Sequence, residues 1–231
     1  MDLSSFYFVN NSLFDSLGTE DLNFFKKHAT QKEYAKGKDV FAQGAYPKGV
    51  FILDSGKVKI YQKSHDDNQQ IMNIHVRGEI IGYRPLLCDE RYPVTATAIE
   101  QCKISFIPKK QFLILLQQSR GLSNTLLKYL SFEFTVWVNI ISYLAQRPVK
   151  ERLLLNLLIL IEKYKTKKGW PVEITLSRAD LAALVGTSNE TLARMITLLK
   201  DERYISTKAR SIMIESATQV TRIKKLLPDF L

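Results

Sequence analysis

The sequence predicts an α+β protein in which an N-terminal antiparallel β-roll is followed by a long helix and a C-terminal winged helix-turn-helix. Three observations support this order. Short β-rich segments separated by glycines fill the first half, a helical pattern begins near Ser119, and two short helices flank a glycine turn within residues 176–205. The predicted parts are a roll at residues 1–118, a long dimerisation helix at 119–147 and a winged domain at 148–231.

Composition excludes several classes of protein. A length of 231 residues suits one large or two ordinary domains, and 45% hydrophobic residues argue against disorder. The apolar runs are short and interrupted, and the N-terminus lacks the pattern of a secretory signal, so no membrane is expected as a partner. Cys88 and Cys102 cannot build a disulfide framework and fit a reducing compartment. We therefore expect a cytoplasmic protein.

The predicted roll extends from about residue 31 to residue 108, after a short helical segment at residues 1–29. Many short strands separated by glycine, aspartate or serine are typical of an antiparallel roll or jelly roll. The predicted strands lie at residues 38–42, 50–53, 57–62, 70–76, 94–98 and 103–107.

The predicted long helix carries an apolar seam. Two sets of apolar residues, each spaced by seven and offset by three, form an a/d pattern over nearly three heptads. We expect one side of the helix to pack on the roll and the seam to pack on a second copy of the chain, and Pro148 to end the helix. A core helix buried within a monomer is the alternative. The seam residues are Leu127, Leu130, Phe134, Trp137, Ile141 and Leu144, and additional apolar surface outside the seam comes from Leu126, Phe132, Val136, Val138, Ile140 and Tyr143.

Residues 176–205 predict a helix-turn-helix. Ser177 begins the capping pattern of a first helix, Gly186 suits a turn with positive φ, and Thr187 or Ser188 can cap a second helix. One face of the second helix carries the apolar residues Leu192, Ile196 and Leu199.

Polar side chains on the opposite face suit the reading of base edges in the DNA major groove. Arg194 can donate two hydrogen bonds to guanine, Glu190 can accept one from cytosine, and Asn189 can pair with adenine or hold a phosphate. A second interpretation stays open. Thr187 and Glu190 could form a capping box, and Glu190 and Arg194 an ordinary ion pair on a solvated face.

A basic hairpin is predicted after the second helix. Apolar pieces at residues 204–206 and 212–214 flank a tip with Lys208 and Arg210, which would contact phosphates as a wing or remain solvated turn residues. Residues 146–231 carry 16 Lys and Arg against 9 Asp and Glu, whereas the first 145 residues carry 17 against 14. The positive excess therefore lies where a polyanion would bind.

Two groups of motifs together cover nearly the whole chain. The N-terminal group is Lys36-Gly37-x-x-Val40-Phe41-x-x-Gly44, Phe51-Ile52-Leu53-x-Ser55-Gly56-x-Val58-x-Ile60 and Gly78-Glu79-Ile80-Ile81-Gly82. The C-terminal group is Leu176-Ser177-Arg178 and Val185-Gly186-Thr187-Ser188-Asn189-Glu190-Thr191-x-x-Arg194. In this order, joined by a heptad helix, the motifs resemble the Crp–Fnr family of bacterial transcription regulators, whose roll is of the cyclic-nucleotide-binding type.

The resemblance implies a homodimer that binds near-palindromic double-stranded DNA and catalyses no reaction. In the family, residues matching Glu190 and Arg194 contact base edges, the position of Asn189 contributes to specificity, and members differ at the position of Ala193. The helix starts at Ser177 and Ser188 complete the candidate DNA surface. We also expect RNA polymerase as a partner, although no surface for it stands out in the sequence.

The effector pocket departs from the cyclic-AMP pattern of the family. Cyclic-AMP-binding members have a glutamate after the glycine that matches Gly82, whereas Tyr83 and Arg84 follow here. The Arg-Ser pair that holds the cyclic phosphate is missing from the stretch beginning at Arg91. We therefore expect an unknown small-molecule effector other than cyclic AMP, or none, in a pocket that includes these four residues. Arg84 and Arg91 either hold an anion or are exposed loop arginines.

Other chemistry fits the sequence poorly, and neither a metal nor a cofactor is predicted. Two cysteines are too few for a four-ligand iron–sulfur cluster, and His28, His65 and His75 stand in no setting typical of a haem ligand. Cys88 could be a redox thiol, although its surroundings are only weakly basic. Two other functions stay open: a metalloenzyme of the cupin type, which a bound metal would support, and an interaction module that binds protein independently of salt.

Overall fold

The structure is a computed structural model that describes residues 2–7, 17–64, 68–166 and 169–227. Contacts within the chain divide it into two units. One unit is Val9–Glu133, and the other is Met1–Phe8 together with Phe134–Leu231. In these described residues, no helix has the length and apolar character needed to cross a membrane.

The first unit is built on two antiparallel sheets. Its strands are β1 (Thr30–Tyr34), β2 (Asp39–Phe41), β3 (Gly49–Ser55), β4 (Val58–Lys63), β5 (Gln69–His75), β6 (Ile80–Ile81), β7 (Thr95–Ala98) and β8 (Cys102–Pro108). One sheet has the order β1-β8-β3-β6 and the other has the order β2-β7-β4-β5. Strands that follow each other in the chain often lie in different sheets, which is the topology of a roll. All six predicted strands and the predicted roll are confirmed.

Strand β3 shows why the sheets pack together. Its side chains alternate between two apolar clusters: Phe51 and Leu53 belong to one, and Val50 and Ile52 belong to the other. Successive residues of a strand point to opposite faces, so a strand with both faces covered is apolar throughout. The second cluster also contains Phe112, Leu115, Leu122 and Leu126, which come from helices.

The described part of the first unit contains one helix within the predicted helical segment at residues 1–29, and two further helices before the long one. They are α1 (Thr19–His28), α2 (Tyr83–Leu87), α3 (Lys109–Gln118) and the long helix α4 (Arg120–Gln146), which continues into the second unit. The predicted start of helical structure near Ser119 is wrong because α3 precedes it, capped by Pro108 and burying Phe112 and Leu115. Strand β1 was missed because its residues are mostly exposed and show no apolar alternation.

The seam residues of α4 fall into two groups. Leu127, Phe134 and Ile141 are 62%, 70% and 62% exposed in the single chain. The other three, Leu130, Trp137 and Leu144, are half-buried. An apolar stripe is therefore exposed along α4, and the alternative of a core helix buried within one chain is wrong for this side of it.

Two of the apolar residues outside the seam are exposed as well. Phe132 and Val138 are 42% and 50% exposed, whereas Leu126 and Val136 are buried. At about 100° per residue, Val138 lies next to the exposed stripe, whereas Phe132 lies about half a turn around the helix from Ile141, beside the buried side. The apolar content of α4 is therefore divided between a buried side and an exposed side.

The second unit contains the winged helix-turn-helix. Its elements are α5 (Val149–Tyr164), β9 (Val172–Ile174), α6 (Arg178–Val185), α7 (Asn189–Asp201), β10 (Ser206–Lys208), β11 (Ser211–Ile214) and α8 (Ala217–Lys224). The strands form one antiparallel sheet in the order β10-β11-β9. Pro148 is the N-cap of α5, so it separates α4 from α5 as predicted. Strand β9 was not predicted, because three residues give too short a pattern.

The N-terminal residues pack in this second unit. They form a short 3₁₀ helix, Leu3–Phe6. The Phe6 ring is 2% exposed and meets the edge of the Tyr143 ring, with the ring centroids 5.4 Å apart. Asn139 Nδ2 donates a hydrogen bond to the Ser5 carbonyl oxygen at 2.9 Å. The N-terminus is therefore anchored on the C-terminal half of α4.

Candidate nucleic-acid interface and ligand pocket

Two serine caps and one glycine define the turn between α6 and α7. The Oγ atoms of Ser177 and Ser188 each accept a hydrogen bond from the backbone N–H three residues further on, at 3.0 and 3.2 Å. Gly186 ends α6 with φ of 70°, a left-handed conformation that strains other L-residues. Ser188, rather than Thr187, is the N-cap of α7, so a capping box starting at Thr187 is not formed.

Helix α7 buries one face and exposes the other. The predicted apolar residues Leu192, Ile196 and Leu199 are all buried. The candidate base-reading residues are exposed on the first two turns, namely Asn189, Glu190, Ala193 and Arg194. The Arg194 side chain lies along its own helix, with Nη2 3.4 Å from Thr191 Oγ1. The structure thus brings the four residues together on one exposed surface.

The hairpin after α7 is tighter than predicted. Lys208 pairs with Ser211 across β10 and β11, so the turn consists of Ala209 and Arg210 alone, and the first strand begins at Ser206 rather than at Tyr204. Ala209 has φ of 51°, the conformation for which glycine or asparagine is usually chosen in such turns. The turn therefore forms without the Asn-Gly pair that usually marks it in a sequence. Lys208 and Arg210 are both exposed at its tip.

A cavity of about 80 Å³ lies in the first unit beside the start of α2. Gly82 precedes α2 with φ of 84°, which glycine adopts without strain. Apolar wall residues include Phe41, Ile60, Ile80, Ile81, Pro85 and Val94. Polar wall residues include His75, Tyr83, Arg84 and Glu133. Three of the four predicted pocket residues, Gly82, Tyr83 and Arg84, line this cavity.

Glu133 of α4 joins the long helix to α2. Its carboxylate accepts hydrogen bonds from the Tyr83 hydroxyl at 2.6 Å and from Arg84 Nε at 2.7 Å. Glu133 is only 2% exposed. Partial desolvation of Arg84 opposes its charge, but the hydrogen bond and charge of Glu133 outweigh it, so the pKa of Arg84 lies above its ordinary value. Arg84 belongs to α2, and the expectation of a loop arginine is wrong.

Sequence reasoning missed Glu133. The heptad pattern is defined by apolar residues only, and Glu133 lies between two of them, Leu130 and Phe134. One signal was nevertheless available: Glu133 is the only acidic residue between Arg120 and Gln146. A single carboxylate in a helix this apolar requires a partner when it is buried.

A second contact with a buried carboxylate involves His75 of the cavity wall. His75 Nδ1 is 2.5 Å from Glu79 Oε2, and the two residues are 6% and 1% exposed. The other ring nitrogen of His75 is 3.3 Å from Asn73 Nδ2. His75 is therefore a buried histidine with polar partners. His65 lies outside the described residues.

Arg91 does not line the cavity. Its guanidinium lies over the Tyr46 ring at 4.2 Å from the centroid, and Nη1 donates to the Gly44 carbonyl oxygen at 2.9 Å.

Cys88 is exposed, and burial raises the pKa of the Cys102 thiol, which disfavours its thiolate. Across residues 2–7, 17–64, 68–166 and 169–227, no three His, Cys, Asp or Glu side chains converge as a metal site.

Comparison with known protein families matches both units. Residues 31–119 match the cyclic nucleotide-binding domain, and residues 151–223 match the Crp-like helix-turn-helix domain. The chain belongs to the Crp–Fnr family. It is therefore a DNA-binding transcription regulator of the Crp–Fnr type, with the predicted order of roll, long helix and winged domain.

Individual Crp–Fnr proteins are similar along most of the chain. The fumarate and nitrate reduction regulatory protein of Yersinia pestis is 24% identical over 188 residues, which cover 80% of this chain and 75% of that protein. The cyclic AMP receptor protein of Thermus thermophilus is 22% identical over 211 residues, covering 91% and 95%. The structure of FixK2 from Bradyrhizobium japonicum superposes with a TM-score of 0.75 at 19% identity, covering 86% and 97%, and shows the same fold.

Proposed function

We propose that this Crp–Fnr protein is a homodimeric, sequence-specific regulator that binds near-palindromic DNA and responds to an effector other than cyclic AMP. The exposed polar face on the first turns of α7 carries the proposal. Asn189, Glu190 and Arg194 present there the donors and acceptors that distinguish base pairs in the major groove. Ala193, small and apolar, suits contact with a thymine methyl group.

Phosphate contacts would hold α7 in the groove. Ser177 and Ser188 mark the exposed N-termini of α6 and α7, where backbone N–H groups and the helix dipoles favour an anion. Lys208 and Arg210 at the tip of the wing would reach the backbone beside the groove. These contacts fix position, whereas the polar face of α7 reads sequence.

Dimerisation would cover the apolar stripe of α4. Leu127, Phe134 and Ile141 follow one another at intervals of seven, so they extend over about 21 Å of helix. A second copy of α4 is the partner that matches a heptad stripe. In a coiled coil, each side chain of the stripe inserts between four side chains of the facing helix, which carries the same heptad pattern. Two-fold symmetry would then place two recognition helices on half-sites about 34 Å apart.

The pocket favours an effector other than cyclic AMP. Its volume of about 80 Å³ is small beside the roughly 300–1,000 Å³ of typical ligand sites. Tyr83 occupies the position at which cyclic-AMP binders have a glutamate, and its hydroxyl donates a hydrogen bond to Glu133. The name of the Thermus thermophilus relative therefore does not transfer to this pocket. Acting on DNA, the protein would work in the cytoplasm, with RNA polymerase as a further partner and without catalysing a reaction.

DNA selection from a random duplex pool, with and without cyclic AMP, tests this function. We expect a two-fold-symmetric motif that is enriched equally under both conditions. Enrichment only with cyclic AMP would contradict the proposed effector class. No enrichment in either condition, together with metal-dependent catalysis or salt-independent binding to a protein, would support the metalloenzyme or the interaction module instead.

A further inference from the structure

We propose that Glu133 determines the ligand specificity of the roll pocket: by holding Arg84 it excludes anions, cyclic nucleotides included, and leaves the pocket to compact uncharged molecules. This inference rests on the proposed role of the pocket as an effector site. Glu133 lines the cavity but belongs to the long helix α4, outside the glycine-rich motifs of the roll.

The charges in the wall are paired within the protein. Among the described wall residues, Arg84 and His75 are those that can carry positive charge, and each faces a carboxylate at 2.7 or 2.5 Å. An incoming anion would compete with Glu133 for the charge of Arg84. Charge-assisted hydrogen bonds of this length are among the stronger polar contacts in proteins.

Burial makes that exchange unfavourable. Glu133 is 2% exposed and is built into the middle of α4, so its carboxylate cannot follow Arg84 into water. An anion that captured Arg84 would leave a buried carboxylate without its cation and would add a second negative charge nearby. Leaving a buried charge without its partner is strongly unfavourable.

The remaining wall is apolar. Ile60, Ile80, Ile81 and Pro85 supply surface that an uncharged molecule can cover without losing hydrogen bonds to water. Such a ligand leaves the pair between Arg84 and Glu133 intact. The volume of about 80 Å³ limits it to a compact molecule.

Titration calorimetry with inorganic phosphate, on the full chain without DNA, tests the role of Glu133. In Glu133→Gln the amide keeps the shape and an acceptor for Tyr83 but no longer neutralises Arg84. We expect no measurable binding of phosphate or cyclic AMP at this pocket in the wild type. In Glu133→Gln we expect measurable phosphate binding, at least tenfold tighter than the detection limit of the wild-type titration.

Two matched variants locate the effect. Tyr83→Phe removes the hydrogen bond from the phenol to the Glu133 carboxylate and keeps the ion pair, so it should still fail to bind phosphate. The double variant Arg84→Gln with Glu133→Gln should lose the gained binding; a gain that persists there arises at another basic surface and overturns the proposal.

The proposal does not depend on one variant folding. The Arg84 side chain is 43% exposed, so water can solvate it in Glu133→Gln, and circular dichroism checks the fold. If that variant is unfolded, Glu133→Met must show the same gain. Binding of phosphate or cyclic AMP by the wild type that is lost in Arg84→Gln would overturn the proposal. Failure of DNA selection, by contrast, would concern only the proposed function.

Discussion

Arg194 is the residue on which the proposed base reading depends most. Its side chain is exposed on the second turn of α7, and a guanidinium can donate two hydrogen bonds to one guanine. We expect Arg194→Ala to weaken binding to the selected DNA site by about 1–3 kcal/mol and to relax the base preference at one position of each half-site. Fluorescence anisotropy with the selected site and a scrambled duplex measures both effects.

Lys200→Ala is the matched control for this change, since Lys200 is an exposed cation at the opposite end of α7. It should leave the base preference unchanged. An equal loss of affinity for scrambled DNA in Arg194→Ala would mean that Arg194 contacts a phosphate rather than a base.

Gly186 illustrates how a single backbone conformation supports the whole motif. Its φ of 70° lets the chain turn from α6 to α7. We expect Gly186→Ala to lower the free energy of unfolding by about 1–2 kcal/mol, because a Cβ in the left-handed region meets the following carbonyl oxygen. Chemical denaturation measures the change.

Glycine to alanine at Gly121, within α4, should raise the free energy of unfolding instead of lowering it. A helical glycine gains from a Cβ, so Gly121→Ala should raise stability by up to about 1 kcal/mol. Similar losses at both sites would show that the effect at Gly186 does not come from its left-handed backbone.

At the scale of elements, the exposed stripe of α4 is the surface to test for dimerisation. Phe134 is 70% exposed, so Phe134→Asp should leave the fold of the single chain intact. In a dimer it would bury two carboxylates against each other, which is strongly unfavourable. We expect sedimentation analysis to show monomers at concentrations where the wild type is dimeric.

Ser142→Asp provides the control, because Ser142 is an exposed polar residue on the same helix, outside the stripe. It should remain dimeric. A dimeric Phe134→Asp protein would place the interface elsewhere.

The N-terminal 3₁₀ helix depends on its anchor. Four residues of 3₁₀ helix have little stability alone, and the Phe6 ring buried against Tyr143 supplies the apolar contact. We expect Phe6→Ala to lower the free energy of unfolding by about 3–5 kcal/mol, as for other buried aromatic truncations. Tyr46→Ala, at an aromatic residue that is 59% exposed, should change it far less in the same denaturation experiment.

At the scale of the whole molecule, DNA affinity should depend steeply on salt. Each phosphate contact contributes about −0.9 to the slope of log affinity against log salt concentration. If the wing contacts phosphates in a dimer, Lys208→Ala removes two such contacts and should reduce the slope by about 2. Binding measured at several salt concentrations tests this, and an unchanged slope would mean that the wing stays in solvent.

Local patterns were sufficient for most of the fold. The six predicted strands, the long helix and the two helices of the helix-turn-helix are confirmed, because each depends on periodicity, glycine turns or serine caps near in sequence. Short or exposed elements were missed: β1 lacks apolar alternation, and β6 and β9 have two and three residues. Helix α3 was missed as well, so the start of helical structure was predicted too late.

The sequence by itself determined the family, the order of its parts and the exposed polar face of α7, because those follow from motifs and from 3.6-residue spacing. Only the tertiary structure decided what surrounds the pocket. Glu133 is fifty positions from Tyr83, yet the fold brings its carboxylate to 2.6 Å from the Tyr83 hydroxyl, while Arg91, close in sequence, stacks on Tyr46 instead. Such contacts depend on how a helix packs beside a roll, and no local pattern encodes that distance.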